Sequence, residues 1–154
     1  MSAVCDDATA AYDYLVQHEH RTSKEIIVFG ESFGTGVTGE LVKRRALGAV
    51  VFHSGYSSLL RAGRDYLPWL KLYPDFCFPK SYDNIATFEK PHPPLFIVHG
   101  TDDRVCSVRN AEDLYKLACE PKAIMIVPGG GHGAFGKREQ FKTELCAFLK
   151  QNSL

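Results

Sequence analysis

Four short, wholly apolar runs at residues 26–29 (IIVF), 49–52 (AVVF), 95–98 (LFIV) and 123–127 (AIMIV) punctuate the chain, with helical-period segments between them. A run of β-branched and aromatic residues without polar alternation reads as a strand buried on both faces, the situation of a parallel sheet covered by helices. Ahead of the first run, residues 6–18 begin with Asp6 and Asp7 as candidate N-caps. They place Ala8, Ala11, Tyr12, Leu15 and Val16 on one stripe. Residues 33–46 put Val37, Leu41 and Val42 at helical spacing, with Gly48 as a stop signal. Pro91, Pro93 and Pro94 announce the third strand. Ser107 is placed to cap a helix carrying Val108, Ala111, Leu114, Tyr115 and Ala118, and a last helix bears Phe141, Leu145, Phe148 and Leu149. Residues 55–93, rich in Tyr, Pro and Phe, read as a helix over 59–72 plus an irregular excursion. The predicted class is α/β, a parallel sheet with helices on both faces, in one domain over residues 1–154.

Composition removes other classes. Among 154 residues, eighteen Lys and Arg balance eighteen Asp and Glu. Phosphate binding calls for a surplus of basic residues, so nucleic acid is not the expected ligand. No run approaches the roughly 18 apolar residues of a membrane span, and the first ten residues carry early acids without the apolar stretch of a secretory signal. The five cysteines are odd in number and never spaced C-x-x-C, which predicts neither a disulfide framework nor a zinc site and suits the cytoplasm. His18, Glu19 and His20 are too close in sequence to converge on a metal from one helix face.

In an open parallel sheet, functional groups gather past the carboxyl ends of the strands. The first predicted strand runs into Gly30-Glu31-Ser32-Phe33-Gly34, a G-x-S-x-G turn leading into a helix. A serine on such a turn needs a tight backbone, and flanking glycines relieve the crowding. The third strand runs into His99-Gly100-Thr101-Asp102-Asp103, and the fourth is followed by Gly129-Gly130-Gly131-His132-Gly133. Serine, acid and histidine thus follow three different strands, in the order Ser, Asp, His. Ser32 is a weak nucleophile until a base such as His132 takes its proton, and a carboxylate fixes the histidine tautomer. One of Asp102 and Asp103 is expected to do only local hydrogen bonding. His99, ahead of the turn, is expected to be structural.

Through GESFGTG, AVVFHSGYSSL, PPLFIVHGTDDRV and GGGHG, from about Asp6 to Phe148, the sequence resembles the α/β-hydrolase superfamily. It is most similar to the α/β-hydrolase-domain proteins that remove palmitate from protein cysteines, and to their serine-peptidase-like relatives. The resemblance implies Ser32 as nucleophile and His132 as base. The fifth residue of H-G-x-x-D, Asp103, becomes the acid, and the backbone N–H of Phe33 one half of the oxyanion hole. It implies no metal or organic cofactor. The lipidated N-terminal cysteine cluster of those proteins has no counterpart here, so membrane attachment is not carried over. The chain matches only the last four of the usual eight strands. It is therefore expected to be the C-terminal half of a longer protein, to have a partner covering the strand at residues 26–29, or to be a shortened form with impaired activity, the first being favoured.

The implied activity is hydrolysis of acyl esters or thioesters, on a small molecule or a lipidated protein, through a Ser32 acyl-enzyme. The excursion stands where such enzymes place a cap, and Tyr56, Leu59, Leu60 and Trp69 are its candidate pocket residues. Two readings compete. A catalytically silent half-domain would fold with a partner and turn nothing over. A nucleotide-binding loop is suggested by residues 131–137 (GHGAFGK), which fit G-x-x-x-x-G-K. Against it, Arg138 follows where a Ser or Thr should hold magnesium, and no later strand supplies a magnesium-binding acid.

Overall fold

The computed structural model describes residues 3–78, 81–136 and 138–154. Its four strands, β1 (Ile27–Glu31), β2 (Ala49–His53), β3 (Leu95–Gly100) and β4 (Lys122–Val127), pair in chain order, and every pairing is parallel. Six α-helices accompany them: α1 (Ala3–Gln17), α2 (Gly34–Val42), α3 (Leu59–Tyr66), α4 (Asn84–Phe88), α5 (Arg109–Leu117) and α6 (Arg138–Gln151). None is long and apolar enough to cross a membrane, among the described residues.

Because strand side chains alternate between faces, the apolar runs supply two cores. On one face Val50, Phe52, Leu95 and Ile97 pack with Tyr12 of α1, Leu41 of α2, Phe88 of α4 and Leu114 of α5. On the other, Val51, Phe96, Val98, Met125 and Val127 meet Phe148 of α6, with Phe141 and Leu145 beside them. The expected helices on both faces are present, with α6 alone among the described residues packed on the second core.

That asymmetry corrects the reading of the first strand. It spans 27–31 and not 26–29, and it is not buried on both faces: Ile27 and Phe29 are 43% and 45% exposed. Both point to the α6 side, but α6 lies over β3 and β4 and does not reach them. β1 is also an edge strand, pairing among the described residues only with β2. At the front, α1 begins ahead of Asp6 and Asp7, so neither is its N-cap. Its buried residues are Cys5 and Tyr12, while Leu15 and Val16 lie exposed. The bidentate Arg45–Asp13 pair, with both bonds 2.7 Å, ties α1 to the chain just after α2.

The single helix expected over 59–72 breaks. α3 ends at Tyr66, Pro68 opens a 3-10 turn to Leu72, and a second covers Asp75–Cys77. Proline supplies no N–H and clashes with the preceding turn, so a continuous helix cannot pass it. Helix α4, unforeseen within the excursion, is capped by Asp83, whose Oδ1 accepts from Ala86 N at 3.0 Å. Ser107 lies two residues ahead of Arg109, where α5 starts, and its Oγ accepts from Arg109 N at 3.4 Å, as the expected cap would.

Candidate active site

The sheet delivers its four strand ends to one side, and the loops that follow β1, β3 and β4 bring Ser32, Asp103 and His132 together. The turn after β1 is built around Ser32, whose N–H still donates to His53 O of β2 at 3.0 Å. Its φ of +50° is a left-handed conformation unusual for a residue with a side chain. Its carbonyl accepts from both Thr35 N (3.1 Å) and Thr35 Oγ1 (2.7 Å), fastening the turn to the first residues of α2. The two motif glycines are not equivalent. A Cβ on Gly30 would sit 2.7 Å from Thr38 Oγ1 and 2.9 Å from Gly34 O, whereas one on Gly34 would meet nothing within 4 Å. Only Gly30 is required by the close approach of α2.

His132 Nε2 lies 3.1 Å from Ser32 Oγ, and His132 Nδ1 lies 2.8 Å from Asp103 Oδ2. Asp103 is the acid in contact. Its side chain is fully buried, and Oδ1 accepts from Val105 N and Cys106 N, each at 2.8 Å. Burial opposes ionisation of this carboxyl, but bonds from the Cys106 N–H, His132 and the Val105 N–H outweigh it and hold the group below the usual carboxylate range. Asp102 is exposed and, among the described residues, accepts only from the neighbouring Thr101 hydroxyl at 2.9 Å, as a local turn residue would. His99 is fully buried. Its Nε2–H points to Cys106 O at 2.7 Å and to Asp103 Oδ2 at 3.3 Å, and burial lowers its pKa, so it is a neutral donor behind the acid. Cys106 Sγ–H donates to Gly55 O at 3.0 Å, tying the acid's loop to the one after β2.

Phe33 stands at the head of α2, half-exposed, and its N–H is engaged by no backbone carbonyl among the described residues. Chemically, the cluster can deprotonate a serine hydroxyl, hold the resulting imidazolium against a carboxylate, and offer an N–H to oxygen charge developing beside the serine.

The pocket residues separate. Tyr56 is buried, its hydroxyl donating to Phe33 O at 3.5 Å, so it props the elbow. Leu59 and Leu60 line a cleft of about 70 Å³ with Gly63, Leu70 and Phe78. Leu60 and Phe78, with Ala86, also wall a cavity of about 440 Å³ together with Ser58, Asp75, Ser81 and Asp83. Neither Ser32 nor His132 lines either space. The Phe33–Tyr82 ring contact at 5.3 Å brings residues 81–83 beside the elbow. Trp69 is 55% exposed and meets Tyr73 edge-on.

The sequence reading missed Ser54 and His53 at the end of β2. Ser54 Oγ accepts from Gly133 N at 3.0 Å, and the His53 ring stacks on Phe135 at 3.7 Å. Their signal was positional, since they follow a strand at the level of the other site loops. The Ser54 bond also counts against a phosphate-cradling role for residues 131–137, because one N–H such a loop would aim at an anion is already donated. Lys137 lies outside the described residues.

Comparison with known proteins places the chain. Residues 2–153 match the model of the prolyl oligopeptidase family. The chain belongs to this family. Among curated relatives of this prolyl oligopeptidase family member, an uncharacterised Mycobacterium tuberculosis protein is 32% identical over 126 residues, covering 82% of the chain and 44% of the relative. The alpha/beta hydrolase domain-containing protein 17C of Xenopus tropicalis is 30% identical over 149 residues, covering 93% and 44%. The chain therefore spans less than half the length of these relatives. Among solved structures, a Mycobacterium tuberculosis puromycin-hydrolysing peptidase superposes with a TM-score of 0.78 at 19% identity, covering 97% of the chain and 25% of the peptidase. A Pyrococcus furiosus esterase gives 0.70 at 19% identity, covering 94% and 60%. The fold is that of the α/β hydrolases.

Proposed function

We propose that the chain carries the nucleophile, base and acid of a serine hydrolase that cleaves acyl ester or thioester bonds. The observation that supports this most is the hydrogen-bonded line from Ser32 Oγ through both nitrogens of His132 to Asp103, made by residues from three separate strand ends. In the proposed reaction His132 Nε2 takes the Ser32 proton as Oγ attacks the acyl carbonyl. The oxyanion faces the Phe33 N–H. Collapse expels the alcohol or thiol, which takes the proton from His132, and water then releases the acid by the same steps in reverse. Substrates of this class include small acyl esters and acylated protein cysteines. The hydrolase-domain relatives and the esterase and peptidase structures are consistent with acyl transfer. A second oxyanion donor is expected from a segment preceding β1 in a longer chain, and one such donor contributes about 10²–10³ in rate.

The exposed Ile27 and Phe29 on an unpaired edge favour a second reading, a half-domain that only binds what covers β1. Covalent labelling by a fluorophosphonate, with Ser32→Ala as control, separates the two. Label on Ser32 supports the hydrolase, and a folded, monodisperse chain that takes no label supports the binding module.

A further inference from the structure

Ser54 directly follows β2, in an arrangement that local packing does not call for. The residue is fully buried, and its φ is +48°, a left-handed conformation in which glycine is unstrained and serine is not. Its own N–H donates to Val98 O of β3 at 2.9 Å, which anchors it in the sheet. Its hydroxyl accepts from the N–H of Gly133, the residue that follows His132. Side chains of consecutive strand residues point to opposite faces. The left-handed step at Ser54 breaks that alternation, and both His53 and Ser54 reach the loop after β4. The His53 ring stacks on Phe135 at an interplanar angle of 26°, with Phe29 against both rings at 6.0 and 5.8 Å. One polar tether thus lies beside His132, and one aromatic plate lies two residues further along.

We infer that Ser54 is a positioning residue for His132: its hydroxyl holds the Gly133 amide so that the imidazole stays between Asp103 and Ser32. The inference rests on the acyl-transfer reading of those three residues. Ser54 itself touches none of the reacting atoms. A glycine would satisfy the backbone at this position, so the hydroxyl is the reason for a side chain here.

Ser54→Gly isolates that role, because it relaxes the backbone while removing the acceptor. The test follows fluorophosphonate modification of wild type and Ser54→Gly by intact mass, together with amide hydrogen exchange at Gly133. Both proteins should reach one label per chain, with the variant's rate constant about tenfold lower. Gly133 exchange should accelerate by a similar factor while the amide of residue 54 stays protected. Labelling at the wild-type rate with Gly133 still protected overturns the inference. So does a reduced plateau at an unchanged rate, which is the mark of a merely structural residue. A wild type that takes no label refutes the acyl-transfer reading, and the exchange measurement then decides the tether alone, unchanged protection in the variant overturning it.

Discussion

Replacing Asp103 by Asn tests the proposed site most sharply, because the surrounding donors dictate how the amide must sit. The Oδ1 position faces the Val105 and Cys106 N–H groups, both 2.8 Å away, and only an oxygen can lie there. The side-chain NH₂ of the Asp103→Asn variant is thereby forced to the Oδ2 position, 2.8 Å from His132 Nδ1. There it donates to Nδ1 and moves the ring proton to Nε2, the nitrogen that must accept from Ser32 Oγ. A histidine held in the wrong tautomer costs on the order of 10⁴ in kcat, or about 5 kcal/mol of transition-state stabilisation. Asp102→Asn changes an exposed carboxylate bonded to the adjacent Thr101, and should leave activity within about twofold. The assay is the rate of fluorophosphonate labelling and of chromogenic acyl-ester hydrolysis, with circular dichroism to confirm folding. Equal losses in the two variants, or an Asp103→Asn protein retaining a tenth of the activity, would refute the argument. A pH arm accompanies it. The Asp103 carboxyl is held below its usual range only in the folded chain, so its ionisation adds stability above the unfolded value, and that contribution is lost as pH falls through the folded one. Asp103→Asn should flatten the acid side of the plot of melting temperature against pH.

Two further outcomes follow from packing alone. Gly30→Ala should destabilise by about 1–3 kcal/mol, since α2 leaves no room for its Cβ, while Gly34→Ala should change stability by less than about 0.5 kcal/mol in denaturant titration. A Gly34→Ala loss as large as that of Gly30→Ala would show that both motif glycines are sterically required. Native thiol titration should find Cys77 and Cys146 reactive and Cys5 and Cys106 silent until unfolding, burial and then the nearby Asp103 having pushed the Cys106 thiol up to about 12. Reaction of Cys106 at the rate of Cys77 in the folded chain would show that the loop after β3 opens freely.

The class of fold and the three loops that matter were legible in the residues alone. Unbroken apolar runs such as 95–98, alternating with helical-period segments, suit a parallel sheet covered on both faces, and in such a sheet the polar residues after the strand ends gather on one side. Ser32 and His132 were legible too, because a serine in G-x-S-x-G and a histidine among glycines are local patterns. How strands and loops distant in the chain meet was not. Asp102 and Asp103 are chemically identical neighbours, and only the fold turns one into the solvent and the other onto His132. Ser54 has no local signature, since its role exists only once β4's loop lies across the end of β2. The apolar run at 26–29 looked like an interior strand, because residue type records what a strand can bury and not what covers it. Packing in three dimensions leaves β1 as an edge with Ile27 and Phe29 exposed, since α6 lies over the far strands and no described helix covers that face of the near one.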